Sequence, residues 1–161
     1  MRSLIVVSVL MTGCVRDTLE GDWEGELLCN GANYDVEARF FEDRMFEYSG
    51  QMLFAYESDV VVNGNAGVFN AQLLYEFTTV QTATSGGQDI FLDMTWDKVY
   101  CEVEYDDGSS EEGGCQEVGG LDTSTKGDKV GYVEMRYSGN DKLSIDDDNC
   151  TGSLYWEGQS Y

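Results

Sequence analysis

The sequence predicts an all-β domain, a small antiparallel up-and-down barrel of about 8–10 strands, with a two-sheet β-sandwich as the alternative. Three observations carry this. From Gly21 onward apolar residues recur with a period of two, and Gly, Asn and Asp punctuate the runs. No segment beyond the first dozen residues holds a helical period. Cysteines near the two ends of the domain, Cys29 and Cys150, sit in segments whose residues complement each other when laid side by side.

The elements follow in chain order. Trp23, Gly25, Leu27 and Cys29 share one face of a first strand, and Asn30-Gly31 signals a turn. Tyr34, Val36, Ala38 and Phe40 alternate with Asp35, Glu37 and Arg39 in a second. Glu42-Asp43-Arg44 predicts a turn into a third strand over 45–49. A fourth spans 51–57, with Gly50 as a bend or bulge between them. Val60-Val61-Val62 is a short apolar run closed by Asn63-Gly64-Asn65. A long strand covers 68–80, and Ser85-Gly86-Gly87 turns it into 89–105.

Within 89–105 the parity changes. Ile90, Leu92, Met94 and Trp96 are even, whereas Val99, Cys101, Val103 and Tyr105 are odd. Asp97-Lys98 is read as a bulge in one strand rather than as a two-residue turn. A return strand is expected to begin with 115–118, and 129–137, 142–145 and 152–156 complete the set.

Before the strands stands a leader. Arg2 gives it a positive start, residues 4–11 are apolar, and Met11-Thr12-Gly13-Cys14 ends it with small residues and a cysteine. The apolar run is far shorter than the roughly 20 residues of a membrane-spanning helix and reads as a secretory signal. Met11-Thr12-Gly13-Cys14 resembles a bacterial lipoprotein lipobox. The resemblance implies cleavage before Cys14, a diacylglyceryl thioether on its sulfur and an acyl chain on the new amino group. Two or more chains give stable attachment where one does not. Val15 rather than Asp after the cysteine implies, by that family's sorting habit, the outer membrane. The expected organisation is a signal peptide over 1–13, a lipidated tether over 14–20 and the all-β domain over 21–161. Removing 13 of the 161 residues leaves 148, one domain's worth.

Lipidation of Cys14 leaves four of the five cysteines, and an oxidising compartment implies two disulfides. Three pairings are possible. Cys101–Cys115 with Cys29–Cys150 is favoured, because the first brackets a turn-rich acidic loop and the second joins the first strand to the last. Zinc is the rival reading, but the chain has neither a C-x-x-C spacing nor a histidine. With Cys29 opposite Cys150 on an antiparallel ladder, Leu27 faces Gly152, Gly25 faces Leu154 and Trp23 faces Trp156. Large meets small twice, and the sheet closes on itself. A Greek-key sandwich also brings its termini together.

Gly21-Asp22-Trp23 at the start of the first strand resembles the G-x-W of lipocalins and related calycin barrels. The resemblance implies that Trp23 plugs the closed end of the barrel, with a late arginine packed on its ring, a part that only Arg136 can take.

The charge bounds the partners. With 31 acidic and 9 basic residues the formal net charge is −22, which repels nucleic acid and acidic polymers. There is no histidine, so the usual general base and the commonest transition-metal ligand are missing. No nucleophile motif stands out, no cofactor is implied and no catalytic role is expected.

The expected inward aromatics are Trp23, Tyr34, Phe40, Phe69, Tyr75, Trp96 and Trp156. They either line a pocket for a small apolar or sugar-like ligand or simply fill the core. Trp23, Trp96 and Trp156 are the candidates for ligand contact or barrel plug. Asp106-Asp107 with Glu111-Glu112, and the run from Asp146 to Asp148, are weak calcium candidates; both equally suit a solvated turn. The membrane, through the anchor, is the expected partner, and any small molecule or protein that binds is not named by the sequence.

Overall fold

The computed structural model describes residues 18–45, 47–84, 87–121, 126–137, 141–146 and 148–159, without the side chains of 80–88, 131 and 132. The leader and Cys14 lie outside the described residues. Among the described residues nine strands form: β1 (Gly21–Cys29), β2 (Ala32–Arg44), β3 (Glu47–Val62), β4 (Asn65–Thr84), β5 (Gly87–Tyr105), β6 (Ser110–Glu112), β7 (Lys129–Tyr137), β8 (Lys142–Asp146) and β9 (Cys150–Gly158). All pair antiparallel in one sheet, and no described residue is helical. Eight strands close a ring in up-and-down order, with β4 on β5, β5 on β7 and β9 back on β1; β6 is a short flap beside β5. The sandwich alternative gives way to this single closed sheet. The ring is uneven. β4 and β5 pair from Gly67↔Tyr105 to Thr84↔Gly87, whereas β7 and β8 share only Met135↔Ile145, Arg136↔Ser144 and Tyr137↔Leu143.

The closure has the register that the sequence implies. Cys29 faces Cys150, Leu27 faces Gly152, Gly25 faces Leu154 and Trp23 faces Trp156. Both disulfides of the favoured pairing are present, Cys29–Cys150 with Cα atoms 4.1 Å apart and Cys101–Cys115. A Cβ on Gly25 would overlap the carbonyl oxygen of Ser153, and one on Gly152 would lie 2.8 Å from Leu27 Cδ2. The large-opposite-small pattern is therefore a condition for closing the ring. Gly25→Ala should destabilise by about 1–3 kcal/mol, the cost of overpacking. A lower urea midpoint with an unchanged slope is the expected reading.

The bulge forms as the parity implies. Leu74 faces Lys98 and Tyr75 faces Trp96, so Asp97 is the extra residue. Phe69, Ala71, Leu73 and Phe77 keep one face of β4 throughout, while β5 switches from even to odd inward positions to match.

Three boundaries differ from expectation. The expected third strand, fourth strand and apolar run are one strand, β3, whose register with β2 passes through Phe40↔Gly50 without a break. Gly50 is needed for close approach instead: a Cβ there would overlap the Arg39 carbonyl oxygen and lie 2.6 Å from Phe77 Cζ. Residues 42–44 remain in β2, where a register shift between Glu42 and Arg44 absorbs one residue before the turn. The return strand is β6, not 115–118. Gly113 and Gly114, at φ 109° and 75°, swing the chain out of the ladder. Val118 N–H then donates to the Gly114 carbonyl at 2.8 Å, and Leu121 N–H to that of Cys115 at 2.9 Å.

The lower barrel is filled. Trp23, Phe40, Tyr48, Met52, Ile90, Leu92, Met135, Leu143 and Leu154 are all buried in one cluster. Leu19, fully buried, closes this end from below: Trp23 Nε1 donates to its carbonyl at 2.8 Å, and its N–H donates to Tyr48 Oη at 3.4 Å. Trp23 is thus a plug. Its ring, however, meets Phe40 and Tyr137 edge-on, at 6.3 and 6.1 Å. Arg136 is exposed, between buried Met135 and Tyr137, so the late-arginine expectation fails for a reason of strand parity.

Candidate functional site

At the end away from Leu19, three strands outrun the ring. The β1–β2 hairpin turns at Asn30-Gly31, whereas β3 reaches Val62, β4 starts at Asn65 and β5 reaches Tyr105. The result is an arm whose inner face continues that of the barrel wall. β3 beyond Ala55 has a neighbour on one side only, β4, and β6 bounds the arm's other side. The strap 113–121 folds over the inner face, tied by Cys101–Cys115. A Cβ on Gly119 would overlap the Phe69 ring, so glycine there lets the strap lie flat on that side chain. Phe69, Ala71, Leu73, Trp96, Cys101 and Val103 form a second core, against which Val118 and Leu121 pack.

Between the two cores lies a row of aromatic rings. Tyr34, Phe54 and Tyr75 pack against both clusters and are only partly buried; Tyr56 joins them on the arm side. Ring centroids are 5.9 Å apart for Tyr34–Phe54, 5.5 Å for Tyr34–Tyr56, 5.4 Å for Phe54–Tyr75 and 5.1 Å for Tyr75–Trp96. Most are edge-to-face, the arrangement the ring quadrupole favours. The filled core bounds this seam below and the strap bounds it above.

The seam is a poor place for negative charge. Burial, and then the neighbouring Tyr34 hydroxyl, push the Tyr75 phenol up to about 12 from its ordinary 10.0. Tyr34 is raised too, by burial and by Tyr56. A raised acid pKa keeps the native state protonated where the unfolded chain ionises, so stability holds below pH 10 and falls as pH rises from 10 towards 12. For Tyr75 the loss is on the order of 2 kcal/mol. Tyr75→Phe should flatten that part of the stability profile, measured as urea midpoints from pH 9 to 12, and remove the latest step of the tyrosinate absorbance titration.

Other expected site residues fall elsewhere. Trp23 sits at the closed end, and Trp156 is partly buried on β9, over Gly21. Trp96 alone of the three tryptophans reaches the seam. Asp146 and Asp148 are exposed around the β8–β9 turn, with Asp147 outside the described residues. Among the described residues no group of three or more acidic or cysteine side chains is arranged to hold a metal ion. In the other acidic loop Asp107 accepts from Ser109 Oγ at 2.6 Å and from Ser109 N–H at 2.9 Å, which lowers its pKa and makes it a turn-former. A hollow of about 370 Å³ on the outer wall, lined by Asp22, Glu37, Arg39, Gln51 and Glu157 among others, is open and polar. Arg39 Nε bridges it to Asp22 at 2.5 Å.

Phe54 and Tyr56 are seam residues that the expected inward set omits. The signal was present: Tyr48, Met52, Phe54, Tyr56, Val60 and Val62 hold one parity. Reading Gly50 as a bend broke that series in two. The chain matches no known protein family, no curated protein and no solved structure.

Proposed function

We propose that this chain is a lipid-anchored, non-catalytic protein of the bacterial envelope that binds a small ligand or a partner protein at the open end of its barrel. The observation that carries the reading is polarity along the barrel axis. The chain enters at the closed end, through Leu19 beneath Trp23, five residues along the sequence from Cys14. The partly exposed aromatic seam lies at the opposite end. An anchor on Cys14 then holds the closed end to the outer membrane and points the seam away from it. The acidic wall suits this orientation, since anionic headgroups repel it.

A second reading has its own support. The solid lower core leaves the barrel itself no room for a ligand, which favours a structural or surface-display protein. Two measurements on protein purified from its native envelope separate these readings. Native mass spectrometry that retains a small molecule or a partner supports the binder; repeated recovery of bare protein supports the structural reading. Radiolabelled palmitate should enter the wild type and not Cys14→Ala, and equal labelling of the two removes the anchor from the proposal.

A further inference from the structure

In a chain of 31 acidic and 9 basic residues, the inner face of the arm carries no charge along its three long strands; Glu111 of the short β6 stands opposite Val103 and accepts from the Tyr105 hydroxyl at 3.2 Å. The inward positions on the three long strands, from Tyr56 through Phe69 and Leu73 to Val103, are aromatic, aliphatic or small. Yet three seam rings are each followed by a carboxylate residue: Tyr34 by Asp35, Tyr56 by Glu57 and Tyr75 by Glu76. All three acids are exposed, on the opposite face of the sheet. The nearby Lys126 is engaged with Asp97 at the bulge.

We infer that the seam of Tyr34, Phe54, Tyr56 and Tyr75 takes an organic cation, one whose charge is spread over a methylated or ring-borne nitrogen. This rests on the binding reading above and names the ligand class. Aromatic faces attract such a cation through the ring quadrupole. The carboxylates behind the sheet add long-range attraction without competing for contact. An anion gains neither and is repelled. A hard metal ion prefers carboxylate and carbonyl oxygens, and the seam side chains offer only neutral phenol hydroxyls. A neutral apolar molecule gains the packing alone.

Choline and its uncharged isostere 3,3-dimethylbutan-1-ol have the same shape and differ in charge. Titrated into the full-length protein, with tyrosine ring signals followed by carbon-resolved NMR, choline should shift Tyr34, Tyr56 and Tyr75 and bind at least tenfold tighter than the isostere. The difference should shrink as sodium chloride rises from 50 to 500 mM. Tyr56→Leu should weaken choline at least tenfold, Tyr56→Phe should stay within about twofold, and Glu24→Gln on the distant outer wall should change nothing. Equal affinity for both probes overturns the cation and leaves an apolar binding site, so the broader reading survives. Shifts that spread over the acidic wall and ignore Tyr56→Leu also overturn it, as diffuse ion association. Seam signals that neither probe moves overturn it outright; native mass spectrometry then decides separately whether the open end binds anything.

Discussion

Replacing Cys29 and Cys150 together by serine should cost about 4–5 kcal/mol. The bond closes a loop of 121 residues, and the entropy it removes from the unfolded chain grows with the logarithm of that length. Against a typical total of roughly 5–15 kcal/mol, the loss brings the domain close to unfolding at 37 °C. The Cys101–Cys115 bond spans 14 residues and should give about 3 kcal/mol by the same reasoning. Its position changes what is lost. The first bond joins the two strands that close the ring, so its loss acts on the whole barrel. The second ties down the strap, so its loss should loosen the arm while the lower core persists. Hydrogen exchange on the two double-serine variants distinguishes these outcomes. Global loss of protection is expected for the 29/150 pair, and loss confined to β3–β5 beyond the bulge for the 101/115 pair. Equal and uniform effects would show that the arm and the barrel are one cooperative unit.

Trp23→Ala should cost a further 3–5 kcal/mol in the disulfide-intact protein, about the penalty of emptying a large buried aromatic site. Two consequences add. Phe40 and Tyr137 lose the ring on which both rest. The Leu19 carbonyl, buried beneath, loses its indole donor. Trp23→Phe separates them: it keeps most of the packing and removes only the donor, so about 1–2 kcal/mol is expected. A double-mutant cycle with Leu19→Ala should show coupling, because Leu19 is held in place by the indole it covers. Independent effects of the two substitutions would mean that the entering chain is not part of the plug.

Much of this architecture was legible because β structure writes itself at short range. Alternation named the inward residues of β1, β2 and β5, and the parity change at Asp97 was itself the bulge. The pairing of first and last strands was legible for a different reason. A disulfide and two glycine–leucine oppositions must all be satisfied by one register, and few other alignments do that. What failed was local punctuation. Gly50 resembles a bend in sequence, yet it serves a contact with Phe77, a residue 27 positions away that no local reading supplies. Gly113-Gly114 gave no indication of which side of it the return strand lies on. The seam was half legible. Tyr34, Tyr75 and Trp96 carried their parity openly, whereas Phe54 and Tyr56 became inward only once β3 was one strand. The arm itself was not legible, since it arises from unequal strand lengths around the ring.

That inequality leaves the barrel with two raw margins. Among the described residues, the outer part of β3 and the short β6 each present backbone groups that no neighbouring strand takes up. Glu57 and Asp59 line the first, Glu111 and Glu112 the second, and Val61, 72% exposed, lies among the former. Like charges on facing margins keep one molecule from templating onto the next. The safeguard is electrostatic, so salt weakens it. At high ionic strength the same arm should become a site of self-association, visible as growth in light scattering that Val61→Lys suppresses.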